Sequence, residues 1–167
     1  MSQFHSFSAG LLVRDGHGCY LPVSVEQVLE APCWAIALKM QRGTEFSSPE
    51  IVKEYLRIKL AGFEHEVFAV PLLDTRHRLI EYVEMFHGTI DGAKAHPREV
   101  VKSALRHNAA AVNFSHNHPS GNPEPSAADR ALTKRLKQAL ALIDARTLGH
   151  VIVAGQQTAA FAEHRWL

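Results

Sequence analysis

Cysteine is scarce in this chain: Cys19 and Cys33 are its only two. That is too few for a disulfide scaffold, and their spacing is not that of a metal knuckle. They read as reduced thiols. Long apolar runs are absent, so no segment is expected to span a bilayer. Residues 1–10 lack a basic stretch followed by an apolar core, so no signal peptide is read there and a cytoplasmic location is expected. An excess of charge of one sign is missing too. Eighteen Lys and Arg face seventeen Asp and Glu, a formal net charge of +1. No global field therefore argues for nucleic acid or membrane. Repeats and low-complexity tracts are also lacking.

What is present suits one globular domain. The chain has 167 residues, 46% hydrophobic and 21% charged, enough for a real core and not a disordered composition. The oddity is 11 histidines. His5, His17, His77 and His150 are scattered and read as surface residues. One close pair, His116 and His118, has metal-ligand spacing.

Residues 1–46 resist organisation. The apolar pieces 11–13 and 34–40 are separated by Gly, Pro and charged residues, and the segment reads as a poorly defined N-terminal appendage. From residue 47 the signals sharpen into a main domain, 47–167. Ser48 before Pro49, with Glu50 next, predicts a helix start. Ile51, Val52, Tyr55 and Leu56 recur at helical spacing, and Gly62 can end the helix. Residues 66–74 predict a buried strand in which Pro71 suggests an edge or a bulge. Residues 79–86 complete a hairpin. Pro97 starts a helix that stops near Asn108, and 109–115 is a short strand. A Pro-, Gly- and Asn-rich loop, 119–125, precedes a long helix opened by Ser126, with Leu132, Leu136, Ala139, Leu140 and Ile143 as its apolar stripe. Strands 147–155 and 158–162 close the chain. The order predicts an α/β fold, a mixed sheet sandwiched by helices.

The chemistry concentrates between Ser115 and Asp129. His116 and His118 are two apart at a strand end, so alternation puts both imidazoles on one face and Asn117 on the other. Two neutral imidazoles on one face are half of a zinc site. Asp129, one turn into the following helix, can face back toward them. Two histidines and a carboxylate leave the fourth tetrahedral position for water, as in catalytic rather than structural zinc sites. A blander reading competes: Ser126 and Asp129 also make a Ser-x-x-Asp capping box. The two readings are compatible.

His116-Asn117-His118-Pro119 followed by Ser126 and Asp129 resembles the JAMM motif of MPN+ (JAB) metalloproteases. The longer string through Ser120 and Gly121, preceded by Pro97-Arg98-Glu99-Val100-Val101 and Asn108-Ala109-Ala110-Ala111, is similar to the RadC family of bacterial JAB-domain proteins. So is the ending from Phe161 to Leu167. The resemblance covers roughly residues 46–167. RadC proteins often carry a helix-hairpin-helix segment in front; residues 1–46 show no such Gly-rich hairpin, so the chain reads as a short form.

The resemblance implies a cytidine deaminase-like, JAB/MPN architecture. It implies Zn2+ held by His116, His118 and Asp129, with water as fourth ligand and a pKa for that water near 7. It implies a glutamate base near the start of the strand after the first helix. Glu66 sits there; Glu64, on the same face by strand alternation, and Glu84, on the second strand, are the alternatives. Ser126 would stabilise a developing oxyanion. Ser120 and Gly121 shape the loop. Asn117, Ser115 and His107 are candidates for fixing the imidazole tautomers. Arg98 and Glu99 are either a surface ion pair or part of a substrate groove.

Three functions follow. A metallopeptidase or isopeptidase acting on a protein or peptide rests on the complete residue set. A DNA-associated protein, such as a metal-dependent nuclease, rests on the RadC link with DNA repair and gains nothing from a net charge near zero. A non-catalytic interaction module ranks last, because the motif is intact. No membrane partner is expected. The substrate is not readable, and a homodimer through a sheet edge stays open.

Overall fold

The computed structural model describes residues 12–14, 19–22, 24, 43, 45–88, 95–164 and 166. Expectations that fall on His5, His17, Cys33 and residues 34–40 lie outside these. Contacts divide the chain into two units, 1–37 and 38–167. In the first, β1 (Leu12–Arg14) pairs antiparallel with β2 (Tyr20–Pro22). No such hairpin is evident in the sequence.

The second unit follows the predicted order of elements. Ser48 caps α1 (Pro49–Leu60), its side chain accepting from the Ile51 amide at 3.4 Å. Val52, Tyr55, Leu56 and Leu60 form the buried face of that helix. β3 (Val67–Leu73) and β4 (Leu79–His87) form the hairpin. α2 (Pro97–Arg106) ends as foreseen at Asn108, whose φ of 51° is in the left-handed region that Asn tolerates. β5 (Ala111–Asn117), α3 (Ala127–Ala141), β6 (Arg146–Ala154) and β7 (Gln157–Ala160) complete the unit. Before α1, Phe46 is already buried and Glu45 bridges to Arg78.

The five-stranded sheet has the order β4-β3-β5-β6-β7. β5 and β6 are parallel, with α3 as their crossover, and the other pairs are antiparallel. The sheet is therefore mixed, as expected. β3 is internal rather than an edge, which corrects one option raised by Pro71. Its ladder to β5 has no pairs at Val70 and Pro71, and its register to β4 shifts at Phe68/Ala69 and Leu72/Leu73. The proline's missing N–H thus falls where no ladder bond is made. The β5–β6 register also shifts: Val112 pairs with Thr147 but Asn113 with Gly149, so Leu148 is an extra residue on β6.

Alternation along β5 divides the molecule. Val112 and Phe114 face α2 and α3, where they join Phe68, Leu72, Val100, Ala104, Leu136 and Leu140 in the main core. Asn113 faces the α1 side, beside Val52. Helices thus cover both faces of the sheet. Each fully buried Leu or Phe contributes about 1.5–3 kcal/mol. Among the described residues no helix is long and apolar enough to cross a membrane.

Candidate metal centre

β5 runs two residues further than the sequence suggests, through His116 and Asn117. His118 continues the line, its amide donating to the Val153 carbonyl at 2.8 Å. This extended backbone brings both imidazoles to one side: His116 Nε2 and His118 Nε2 are 2.9 Å apart. The loop then leads to Ser126, which caps α3 in a full capping box. Ser126 Oγ accepts from the Asp129 amide at 3.1 Å, and Asp129 Oδ2 accepts from the Ser126 amide at 2.7 Å. The box turns the Asp129 carboxylate toward the histidines. Its Oδ1 is 3.6 Å from His116 Nε2 and its Oδ2 is 3.7 Å from His118 Nε2. The capping box and the cluster therefore coexist.

These three are the only group of at least three His, Cys, Asp or Glu side chains suited to a metal among the described residues. The spacing fits an ion. Ligands about 2.0–2.1 Å from a tetrahedral zinc lie roughly 3.3 Å from one another. The two histidine nitrogens here are 2.9 Å apart, each has one Asp129 oxygen at 3.6 or 3.7 Å, and one ligand atom from each of the three residues lies within 4.8 Å of the others. The donor chemistry fits as well. His118 Nδ1 is 2.7 Å from the Asn122 carbonyl, which can only accept. The hydrogen is therefore on Nδ1, and a neutral His118 presents a bare lone pair at Nε2.

The electrostatics suit a cation. Burial acts to raise the Asp129 pKa, but the imidazoles of His116 and His118 and the Ser126 hydroxyl more than offset it, holding the carboxyl well below its usual range. His118 is raised above its ordinary value, chiefly by Asp129, against burial; the Asn122 carbonyl and the charges of Asp129 and Glu66 add to the effect. Glu66 is thus near enough for its charge to act on His118.

Glu66 lies immediately before β3, and Gly88 donates to its carbonyl at 2.7 Å. Glu64 is in a bend, so the strand alternation expected to aim it with Glu66 does not hold; it is exposed and lines a cavity with Asn117 and His118. Glu84 is exposed on edge strand β4, 4.0 Å from His87. The Ser126 hydroxyl donates to Asp129 Oδ2 at 2.6 Å. Ser120 and Gly121 lie in the exposed turn after His118, with Gly121 at φ 77°.

None of the three residues expected to orient the imidazoles does so. Ser115 has a buried hydroxyl with no hydrogen-bond partner among the described residues. His107 bonds to its own helix at Ser103 O, 2.9 Å away. Asn117 instead ties down the chain ahead of β3: its Oδ1 accepts from the Val67 amide at 2.7 Å, and its Nδ2 donates to His65 O at 2.9 Å and to Phe63 O at 3.3 Å. It fixes the backbone on both sides of Glu66. Glu99 pairs with Lys102 at 3.7 Å rather than with Arg98.

His150, read as a surface residue, is 1% exposed. Its Nε2 is 2.7 Å from His116 Nδ1. Thr133, on the inner face of α3, touches its other nitrogen at 2.7 Å. Two signals pointed to them: a lone histidine in the apolar run Val151-Ile152-Val153, and a hydroxyl inside the Leu132–Leu136 stripe, one turn after Asp129.

An α/β sandwich with a His-His-Asp cluster between a strand end and a helix start has the makings of a JAB-type domain. The RadC-like JAB domain family matches residues 46–166, and the chain belongs to that family. A UPF0758 protein of Vibrio cholerae is 56% identical over 141 residues, covering 84% of this chain and 89% of its own length. A UPF0758 protein of Cellvibrio japonicus is 51% identical over 152 residues, 91% of this chain and 68% of its own. One from Aeromonas salmonicida is 44% identical over 174 residues, 100% of this chain and 77% of its own.

Proposed function

We propose that this domain is a zinc-dependent hydrolase that cleaves an amide or isopeptide bond in a protein or peptide. One observation carries the reading: two imidazole nitrogens and a carboxylate converge within reach of a single ion, beside a second carboxylate whose charge acts on His118.

His116 and His118 would hold the ion through Nε2, and Asp129 through its carboxylate. Zinc bound there supplies Lewis acidity and brings the pKa of water to about 7. Glu66 accepts a proton from the attacking water and passes it to the leaving nitrogen as the C–N bond breaks and the C–O bond forms. Ser126 has its hydroxyl hydrogen on Asp129 Oδ2. To donate to the developing oxyanion it turns that hydrogen from Asp129 to the substrate. Asn117 holds the backbone around Glu66.

The test is metal content of protein purified without added metal, compared with the His116→Ala/His118→Ala double variant. About one zinc per chain is expected, and none in the variant. Wild-type protein that takes no zinc even on titration would overturn the reading.

A second reading, association with DNA, has one observation in its favour. The net charge conceals an asymmetry. Arg98, Lys102 and Arg106 on α2 and Arg130, Lys134, Arg135 and Lys137 on α3 are all exposed, and Glu99 and Asp129 are the only acidic residues of those helices. Such a surface suits phosphates. Salt-dependent binding of a labelled oligonucleotide, lost on Lys134→Glu/Lys137→Glu, would support it; binding absent at low salt would remove it.

A further inference from the structure

His150 stands in a row of polar atoms that runs from Asp129 back to His116. Thr133 Oγ1 is 2.6 Å from the main-chain carbonyl of Asp129. His150 Nδ1 is 2.7 Å from the same hydroxyl, and His150 Nε2 is 2.7 Å from His116 Nδ1. Within this row, only one placement of hydrogens on neutral rings satisfies each contact. A carbonyl oxygen only accepts, so the Thr133 hydroxyl gives its single hydrogen to Asp129 O. Its oxygen must then accept from His150, which puts a hydrogen on His150 Nδ1. A neutral imidazole protonated there has a bare Nε2, so His116 donates from Nδ1. His116 Nε2 is left as a lone pair, and it faces His118 and Asp129.

The surroundings leave His150 no other choice of partner. Phe161 stacks on its ring at 4.5 Å, and Phe68 and Phe114 meet it edge-on at 5.7 and 5.8 Å. The ring is buried and walled by these aromatic faces, surroundings that favour the neutral form the row requires.

We propose that His150, oriented by Thr133, is a positioning residue that fixes the tautomer of His116 and so presents its Nε2 lone pair to the metal. This rests on the zinc reading above. It also ties two ligands together, because Asp129 supplies both a carboxylate to the site and the carbonyl that ends the row. Removing a partner of this kind typically weakens metal affinity by about 10–100-fold.

The test has two parts on the full chain. Zinc affinity is measured by competition with a chelator for wild type, Thr133→Val and Thr133→Ser. The hydroxyl-free variant is expected to bind about 10–100-fold more weakly, with the cobalt-substituted absorption spectrum still that of the same ligands, and Thr133→Ser to recover most of the loss. Separately, nitrogen-15 NMR of the metal-free wild type reports which ring nitrogen carries hydrogen; His116 and His150 are expected to be Nδ1–H. This second readout stands if Thr133→Val fails to fold. An Nε2–H tautomer at either histidine, or Thr133→Val binding zinc as wild type does, would overturn the proposal alone. Wild type that binds no zinc would overturn it together with the zinc reading.

Discussion

The two ends of the site are built differently. At the donor end each side chain is held by a second contact: His116 by His150, His118 by the Asn122 carbonyl, Asp129 by Ser126. At the other end, the Glu66 carboxylate has no hydrogen bond among the described residues, and only the backbone around it is clamped, through Asn117 and Gly88. The contrast is physical sense. Ligands must keep a fixed geometry, because displacement costs metal affinity. A proton carrier of the kind proposed for Glu66 would have to reach water first and a leaving group afterwards, which suits an anchor in the main chain.

That contrast can be broken at its loose end. Glu66→Gln is expected to lower amide hydrolysis by about 10²–10⁴-fold while zinc content stays at the wild-type level. Glu84→Gln should leave both unchanged. Equal loss in the two variants, or loss of zinc with Glu66→Gln, would refute the assignment of the base.

A smaller effect is expected from the clamp. Asn117→Ala leaves the Val67 amide without its buried acceptor and frees two carbonyls. The cost should be about 1–3 kcal/mol of stability by denaturant unfolding. Because Asn117 faces away from His116, zinc affinity should hold while turnover falls. If zinc affinity fell in step with turnover, the two ends would not be separate.

The smallest effect is in pH. Asp129 raises His118 above its ordinary value of 6.5. In the metal-free protein that pair's stabilisation is complete below 6.5 and is lost as pH rises through the raised value. Zinc takes only the deprotonated imidazole, so the sign for metal is opposite. Its affinity should fall about tenfold per pH unit once the pH drops below the raised value. Affinity that is flat from neutral pH to below 6.5 would contradict this.

Much of this was legible from local pattern. The Ser48-Pro49 start, the capping box at Ser126 and the alternation that pairs His116 with His118 depend on a few adjacent residues, and each has its expected geometry. What could not be read depends on distant register. His150 reaches His116 only because β6 lies parallel to β5 with Phe114 opposite His150, a pairing set by the α3 crossover. Glu64 failed as a same-face partner because a bend, not a strand, precedes Val67. Pro71 left an edge and a bulge both open because its cost depends on which neighbour its missing donor faces, and the sequence does not state that. The basic faces of α2 and α3 vanish in the net charge.

The extra residue at Leu148 has a consequence for how the chain tolerates insertions and deletions. Had the pairing of Val112 with Thr147 run on without a break, Phe114 would meet Gly149, and His150 would fall opposite Ser115, on the α1 side. The bulge resets the phase of β6, and it does so where a glycine stands. A Cβ at Gly149 would lie 2.9 Å from Asn113 Oδ1. Deleting Leu148 would therefore leave Thr147 on Val112, Gly149 on Asn113 and His150 on Phe114 in one unbroken ladder, with the imidazole on the same face. The stretch can lose its unpaired residue without moving the imidazole from His116, because the slack is held in the bulge and not in the register.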